Sequence, residues 1–520
     1  MALRDADLVS VQQARQLAAR ARAAQETVGV FSQEQVDRVV DAMAAAARGE
    51  AERLARLAHE ETGFGSVRDK TRKNLFSAED VHAYIRPLRT VGVLREDLVT
   101  RVTEIAAPMG VVAAVVPSTN PTSTAIYKAL IAIKSRNAIV LSPHPSARRC
   151  IVESARVLQA AATAAGLPPD ALLCLDEVTL EGTQELMRSR DTAVILATGG
   201  IGLVRAAYSS GKPAYGVGPG NVPAYVEKTA DVARAVKDVI DGKTFDNGTL
   251  CSSEQALVCD LSIAEAVREE VRKNGGYFLG EAEAEAVARV VVTPQRLANP
   301  EIVGRPAPFI AEKAGIKVPA DTRVLMAPLT GVGRDFPLSI EKLCPVLAFY
   351  VVKDWREGAE RCKALLRFGG TGHSMGIHSR DETVISAFGE TMPVFRIIVN
   401  TQTSMGATGY TTGLAPSMSL GCGAFAGNIT SDNITPLHLI NVKRLARVRP
   451  RESPAAPLSA SPVVPPKPPP SPTELVDFVC EDDVRRAQRT GRTLRVKRGG
   501  IVTPAARDQA AGTGVLVFEA

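Results

Sequence analysis

Apolar residues along the first third of the chain recur at helical spacing. Leu8, Val11, Leu17, Ala18 and Ala21 form a thin stripe that predicts a helix over 6–24. Val36, Val39, Val40 and Met43 repeat the pattern after Ser32, which with Glu34 and Gln35 resembles a capping start. A third helix is expected at 50–62, stopped by Gly63. The period then changes: 91–105 alternates weakly, as one or two strands do. Val111 to Val116 is a continuous apolar run ended by Pro117, the pattern of a strand buried on both faces in a parallel sheet. A helix at 122–133, a strand at 138–141, an Ala-rich helix at 146–165 and a strand at 194–197 follow, and a further helix opens after Thr198-Gly199-Gly200-Ile201-Gly202.

Strand, helix, strand, helix, strand is the doubly wound α/β pattern. Ligands in such sheets sit beyond the carboxyl ends of the strands, so the informative loops are Pro117–Pro121, Ser142–Pro145 and Thr198–Gly202. Pro219–Pro223 reads as a turn and Ala224–Val226 as the start of another strand; a second alternating set runs from about 227 to 420. Residues 450–472 hold ten prolines and read as a semi-extended linker. Beyond it, Glu481-Asp482-Asp483 precede Arg485, Arg486 and Arg489, the charge order a helix dipole favours. Thr503-Pro504 fits the N-cap and first position of a last helix that Gly512 stops. The expected organisation is 1–225 (helices and a dinucleotide-type sheet), 226–420 (second α/β domain), 421–449 (a return segment), 450–472 (linker) and 473–520 (C-terminal extension).

At 520 residues, 45% apolar and 23% charged, the composition is that of an ordinary globular enzyme. The net charge of +6 is dispersed and lacks interleaved aromatics, which argues against a nucleic-acid face. There is no apolar run of about eighteen residues and no secretory signal pattern, so a cytoplasmic protein without a membrane span is expected. The eight cysteines form no CxxC pair and no metal-ligand spacing, and most read as reduced core thiols.

Cys251 differs from the rest. It stands in Phe245-Asp246-Asn247-Gly248-Thr249-Leu250-Cys251-Ser252-Ser253, where Asn247-Gly248 makes a tight turn ahead of a strand at 255–258. A cysteine in a polar, Gly-containing loop can be accessible and reach the thiolate that nucleophilic work requires. Cys259 ends the apolar strand and reads as core. Asn120, between Thr119 and Pro121, reads on its own as a turn-former. His144 and His373 read as structural or hydrogen-bonding histidines.

With these residues in place the chain resembles the CoA-acylating branch of the aldehyde dehydrogenase superfamily, especially the acetaldehyde and propionaldehyde dehydrogenases of bacterial microcompartments. The likeness spans about 5–450. It rests on Phe31–Val36, Glu61–Gly65, Pro117–Pro121, Gly218–Asn221, the Cys251 loop, Glu341–Val346, Thr411–Leu414 and Thr430–Asn433, in that order. The resemblance implies two doubly wound parallel-sheet domains with a β arm, formed near 93–105 and 430–448, that pairs subunits into a dimer or tetramer. It implies that Cys251 attacks the aldehyde carbon and that Asn120, with the Cys251 backbone N–H, stabilises the oxyanion. Glu341 matches the glutamate that contacts the nicotinamide ribose, and Thr198, Gly199 and Gly200 match the loop facing the cofactor phosphates. Pro117, Ser118, Ser142, His144, Gly218 and Gly220 fall in the remaining loops of the implied cofactor site.

Hydrolytic relatives carry a water-activating glutamate just before the Gly218-Pro219-Gly220-Asn221 turn, where this chain has Gly216 and Val217. Neither can act as a base, so the implied fate of the thioester is transfer to coenzyme A. The lysine and glutamate that hold the adenosine ribose in those relatives are replaced by Ser142-Pro143-His144-Pro145-Ser146; NAD is expected, with NADP left open by Arg148-Arg149. Acetaldehyde or propionaldehyde is the favoured substrate, with sulfoacetaldehyde and succinate semialdehyde as alternatives. A hydrolytic dehydrogenase and a non-catalytic scaffold are the competing classes. The extension, with Thr503-Pro504-Ala505-Ala506-Arg507-Asp508, resembles segments at the ends of microcompartment proteins, which implies shell proteins as partners and a place inside a microcompartment.

Overall fold

A computed structural model describes residues 5–449 and 474–519, in two units: one ending at Arg447 and one beginning at Val448. The linker expected at 450–472 lies outside the described residues.

The first unit opens with the helices Ala6–Val28, Gln33–Gly49 and Ala51–Thr62. Ser32 and Gln35 close a reciprocal capping box, a device worth about 1 kcal/mol, and Gly63 ends the third helix in the left-handed conformation at φ 66°. The sequence pattern did not announce the next helix, Val67–Leu75, which runs through a π-helical stretch, Phe76–Val81, into His82–Ile85. Its cue is Ser66, whose hydroxyl accepts from Asp69 N at 3.1 Å.

Five parallel strands form the first sheet, in spatial order Leu172–Cys174, Ala138–Pro143, Val111–Val116, Thr192–Thr198, Ala214–Val217. The order reverses between Val111–Val116 and Thr192–Thr198, which leaves a crevice at their carboxyl ends. All six residues of Val111–Val116 are buried, as the unbroken apolar run requires of a central strand. Lys128, from the buried helix Pro121–Lys134, reaches the crevice floor and donates to the carbonyls of Val115 (2.7 Å) and Leu196 (2.9 Å), joining the two strands that flank the crevice.

After Gly218–Asn221 the chain builds a second, seven-stranded parallel sheet. Its order is Gly276–Phe278, Val324–Pro328, Val346–Val352, Glu254–Asp260, Val222–Val226, Met375–His378, Ile397–Val399. Glu254–Asp260 is buried at every position, so Cys259 is core. A separate antiparallel sheet joins Gly92–Asp97 and Val102–Pro108 to the returning strand Ile440–Ala446, with Ile440 opposite Pro108.

The second unit is a small α/β layer of its own. Glu474–Val479, Leu494–Val502 and Leu516–Phe518 lie parallel, joined by the helices Glu481–Thr490 and Pro504–Ala510. Val479, Val484, Val496, Val502 and Ala506 make its core. Both helices fall where charge order and the Thr503-Pro504 cap place them, but the three strands that alternate with them were not legible in the sequence.

Candidate functional site

A cavity of about 450 Å³ opens at the crevice of the five-stranded sheet and extends to the loop carrying Cys251. Pro117, Ser118, Asn120, His144, Thr198, Gly199, Gly200, Gly218, Cys251 and Glu341 all line it, as do Thr124, Val217, Leu250, Thr408, Met418 and Leu420. Residues separated by more than two hundred positions in the chain thus share one space.

Cys251 follows a backbone that turns sharply. Asp246, Asn247 and Gly248 all have positive φ (48°, 53° and 78°), an uncommon state for Asp and Asn, and they carry the chain from the 3₁₀ turn Phe245–Gly248 toward the strand Glu254–Asp260. The residue is half-buried, and Val217, Ile398, Ala407 and Leu420 form the apolar cluster against which it packs. Burial, with a further push from Glu341, drives its thiol up to about 12. The sequence suggested that a polar loop lets this cysteine reach the thiolate; in the structure Asp246 and Thr249 of the loop do have polar partners, but the sulfur itself packs against apolar side chains, and its burial works against ionisation. Gly220 is dictated by this crowding: a Cβ there would lie 2.4 Å from the Cys251 carbonyl oxygen and 3.0 Å from the His373 ring.

Asn120 ends the turn after Val111–Val116, buried at the start of the helix Pro121–Lys134. Its Nδ2 donates to the Thr249 carbonyl at 3.1 Å, which ties it to the Cys251 loop, and to Thr119 Oγ1 at 3.2 Å. Its Oδ1 accepts from Lys73 Nζ at 2.5 Å. Lys73 also bonds Asp246 and, at 3.3 Å, Thr249 Oγ1, while Lys70 reaches Asp246 Oδ2 at 3.0 Å. Sequence reading missed this cluster altogether. The helix that carries both lysines has no apolar stripe, and its partner Asp246 stands 173 residues further along.

Glu341 is pinned by the Gly220 N–H, which donates to its Oε1 at 2.9 Å, and burial raises its carboxyl to about 7. Gly220 itself serves as that donor rather than lining the cavity. Ser142 is likewise absent from the lining: its hydroxyl sits 2.9 Å from Thr183 Oγ1, and Thr183 is the residue that faces the cavity. His144 Nδ1 lies 3.2 Å from Ser146 N and 2.8 Å from Ser146 Oγ, capping the turn Pro145–Ala147, and burial lowers its pKa. His373 is buried with Nε2 unpartnered; burial, then the Arg396 charge, hold it down to about 3, so the ring is neutral.

The residues on the sheet side fit a dinucleotide. Thr198 has a buried hydroxyl with no protein partner, and Gly200 and Gly202 have open space where a Cβ would stand, at the start of the helix Ile201–Tyr208. Among the described residues no group of three His, Cys, Asp or Glu is placed to hold a metal, and no helix is long and apolar enough to cross a membrane.

A five-stranded parallel sheet whose crevice shares one cavity with a cysteine from the loop leading into a second parallel sheet defines a class of α/β proteins with a thiol at a nucleotide-type crevice. Within that class the chain belongs to the aldehyde dehydrogenase family, which residues 3–280 match. It is 44% identical over 436 residues to the bifunctional aldehyde-alcohol dehydrogenase AdhE of Escherichia coli K12, covering 83% of this chain and 49% of that protein. The chain therefore spans about half the length of the curated relatives it matches first. The crystal structure of an acetylating aldehyde dehydrogenase from Geobacillus thermoglucosidasius superposes with a TM-score of 0.84 at 52% identity, over 86% of this chain and all (100%) of that one. A propionaldehyde dehydrogenase from the Clostridium phytofermentans fucose utilisation bacterial microcompartment superposes at 0.76 with 27% identity, over 84% and 97%.

Proposed function

We propose that this chain is a CoA-acylating aldehyde dehydrogenase that converts a short, uncharged aldehyde such as acetaldehyde or propionaldehyde to its acyl-CoA. The observation that carries the reading is that Cys251 and Asn120 line one cavity, with Gly216 and Val217, neither of them a base, at the place where the resemblance puts the water-activating carboxylate of hydrolytic relatives. The Cys251 thiol releases its proton to solvent water as Sγ bonds to the aldehyde carbon, and the carbonyl electron pair moves onto oxygen, where the Asn120 amide and the Cys251 N–H donate to it. A bound nicotinamide dinucleotide supplies the hydride acceptor. Cys251 then holds the acyl group as a thioester, the coenzyme A thiol attacks its carbonyl, and the bond to Cys251 breaks to return the thiol. Exchange of one thioester for another is nearly isoenergetic, so the residues need only position the incoming thiol.

The cavity beside Cys251 supports a small apolar substituent on the aldehyde. Thr124, Leu250, Thr408, Met418 and Leu420 surround it, and among the described residues His144, Cys251 and Glu341 are the titratable groups on the lining. Among the described residues no lysine or arginine lines it to meet a sulfonate or a second carboxylate. On the cofactor side, Arg148 is engaged by the Asp176 carbonyl at 2.8 Å and no carboxylate lines the wall near His144, which favours NAD through contacts other than an acidic ribose clamp.

The competing reading is hydrolysis with Glu341 as the base, since its carboxyl titrates near 7 inside the same cavity. Purified protein given acetaldehyde and NAD, with and without coenzyme A, separates the two. NADH formation that needs the thiol is the expected result; steady turnover without it overturns acyl transfer.

The second unit is read as an attachment module for a microcompartment shell. It has a core of its own, yet Leu475, Phe478, Ile501, Val517 and Phe518 remain exposed on it. The antiparallel sheet of Gly92–Asp97, Val102–Pro108 and Ile440–Ala446 is read as the arm that pairs subunits, its turn exposing Leu98 and Val99. Co-sedimentation of the full chain with assembled shells, lost on removal of 474–520, tests the first of these readings; a chain that sediments equally without them overturns it.

A further inference from the structure

Among the described residues Asn120 is the one side-chain amide on the cavity wall, and an amide can face a substrate in either of two orientations. Here charge decides between them. Lys73, its side chain only 5% exposed, places Nζ 2.5 Å from the inner atom of the amide, and a cation tolerates only oxygen there. Flipped, the side chain would point its NH₂ group at the lysine and its oxygen at the reacting carbonyl.

Lys73 is itself held with little freedom. Its three protons go to Asn120 Oδ1, Asp246 Oδ2 and Thr249 Oγ1. Asp246 is held in turn by Lys70, by Thr249 Oγ1 at 2.7 Å and by Ser66 N at 2.8 Å. Gly65 leaves the room for it, since a Cβ there would fall 1.8 Å from Asp246 Oδ1. Burying a lysine is costly, and burial has lowered this one to about 8, so packing alone does not account for it. Every partner of its ammonium group lies on the Asn120 turn or the Cys251 loop.

We infer that Lys73 is a positioning residue for the reaction: it locks the Asn120 amide with oxygen inward, and it polarises the Nδ2–H group that meets the oxyanion on the Cys251 adduct. The inference rests on the function proposed above. One Nδ2 hydrogen goes to Thr249 O; the other rests on Thr119 Oγ1 at 3.2 Å, a long bond that the developing oxyanion can displace.

The test is a double-mutant cycle on the full chain with acetaldehyde, NAD and coenzyme A. Lys73→Met is expected to lower kcat about 10²-fold, the cost of an oxyanion donor, with the aldehyde KM within a few-fold of wild type. Asn120→Ala should lose as much, and the double variant should be no slower than Asn120→Ala alone, because both changes remove one interaction. Lys73→Arg should recover most of the rate. Alkylation of Cys251 by iodoacetamide forms no oxyanion and should proceed at the wild-type rate in Lys73→Met, which a loosened fold would not allow. Wild-type kcat in Lys73→Met, or losses that multiply in the double variant, overturn the inference. If Lys73→Met does not fold, Lys73→Gln, neutral but still a donor, takes its place in the cycle under the same criteria. A wild type that forms no NADH with the aldehyde would instead sink the functional reading on which this one stands.

Discussion

The two walls of the cavity are built from opposite materials. Behind Asn120 lies a buried polar cluster of Lys70, Lys73, Asp246 and Thr249; behind Cys251 lie Val217, Ile398, Ala407 and Leu420. The first wall concentrates fixed charge behind a hydrogen-bond donor. The second disfavours charge, and it keeps the resting thiol protonated. On the mechanism proposed above, a site with both walls invests its electrostatics in the charge that appears during reaction rather than in a thiolate waiting beforehand. It also protects the sulfur from the oxidation that a permanently ionised thiol invites.

The largest effect should come from the sulfur itself. Cys251→Ala is expected to lower aldehyde-dependent NADH formation about 10⁴-fold or more, read against unchanged thermal unfolding. Asp246→Asn attacks the other wall. It leaves Lys70 and Lys73 without their carboxylate, and such a loss typically costs about 3–5 kcal/mol, measured by urea unfolding. The deficit should shrink above pH 8, where Lys73 gives up its proton. The apolar wall makes a smaller, graded prediction. With a thiol near 12, alkylation of Cys251 by iodoacetamide should rise about tenfold per pH unit from pH 7 to 9 without a plateau. A plateau near neutrality would mean that both walls favour charge. The smallest effect lies away from the cavity. Thr503→Ala removes the hydroxyl that accepts from Ala506 N at 3.3 Å, and should cost the second unit about 1 kcal/mol while leaving turnover at Cys251 as it was.

The pH dependence of stability carries a sign of its own. Glu341 has a carboxyl raised from the ordinary range near 4.5 to about 7, so its folded state binds a proton the unfolded chain has released between those values. Its contribution is full below about pH 4.5 and is lost as pH rises through 7. Glu341→Gln should therefore flatten the decline in Tm over that window.

Much of the scaffold was written in local pattern. The run Val111–Val116 announced a central parallel strand, because six consecutive apolar residues have no polar face to offer water. Ser32 with Gln35, Gly63 and Thr503-Pro504 marked helix ends through bonds that close within four residues. Cys251 stood out by its loop, and Val217 by what it is not. The strand Leu494–Val502 escaped notice because Lys497, Arg498, Gly499 and Gly500 break its apolar alternation and a register shift interrupts its pairing with Glu474–Val479. Ser142 was expected in the loop after a strand at 138–141, but the strand runs on to Pro143 and includes it, and its hydroxyl turns to Thr183, a neighbour 41 residues away.

The chain alone thus determined many of the strands and helices of the first sheet, which sulfur stands apart, and that no carboxylate occupies the turn before Gly218. It could not set the character of the two walls. The ionisation of a thiol and the orientation of an amide depend on groups brought within a few ångströms by folding. Lys73, Asn120 and Asp246 come from three segments, and nothing in the neighbourhood of any one of them in sequence points to the other two. Coulomb energies and desolvation follow distance in space, so only the tertiary structure could decide them.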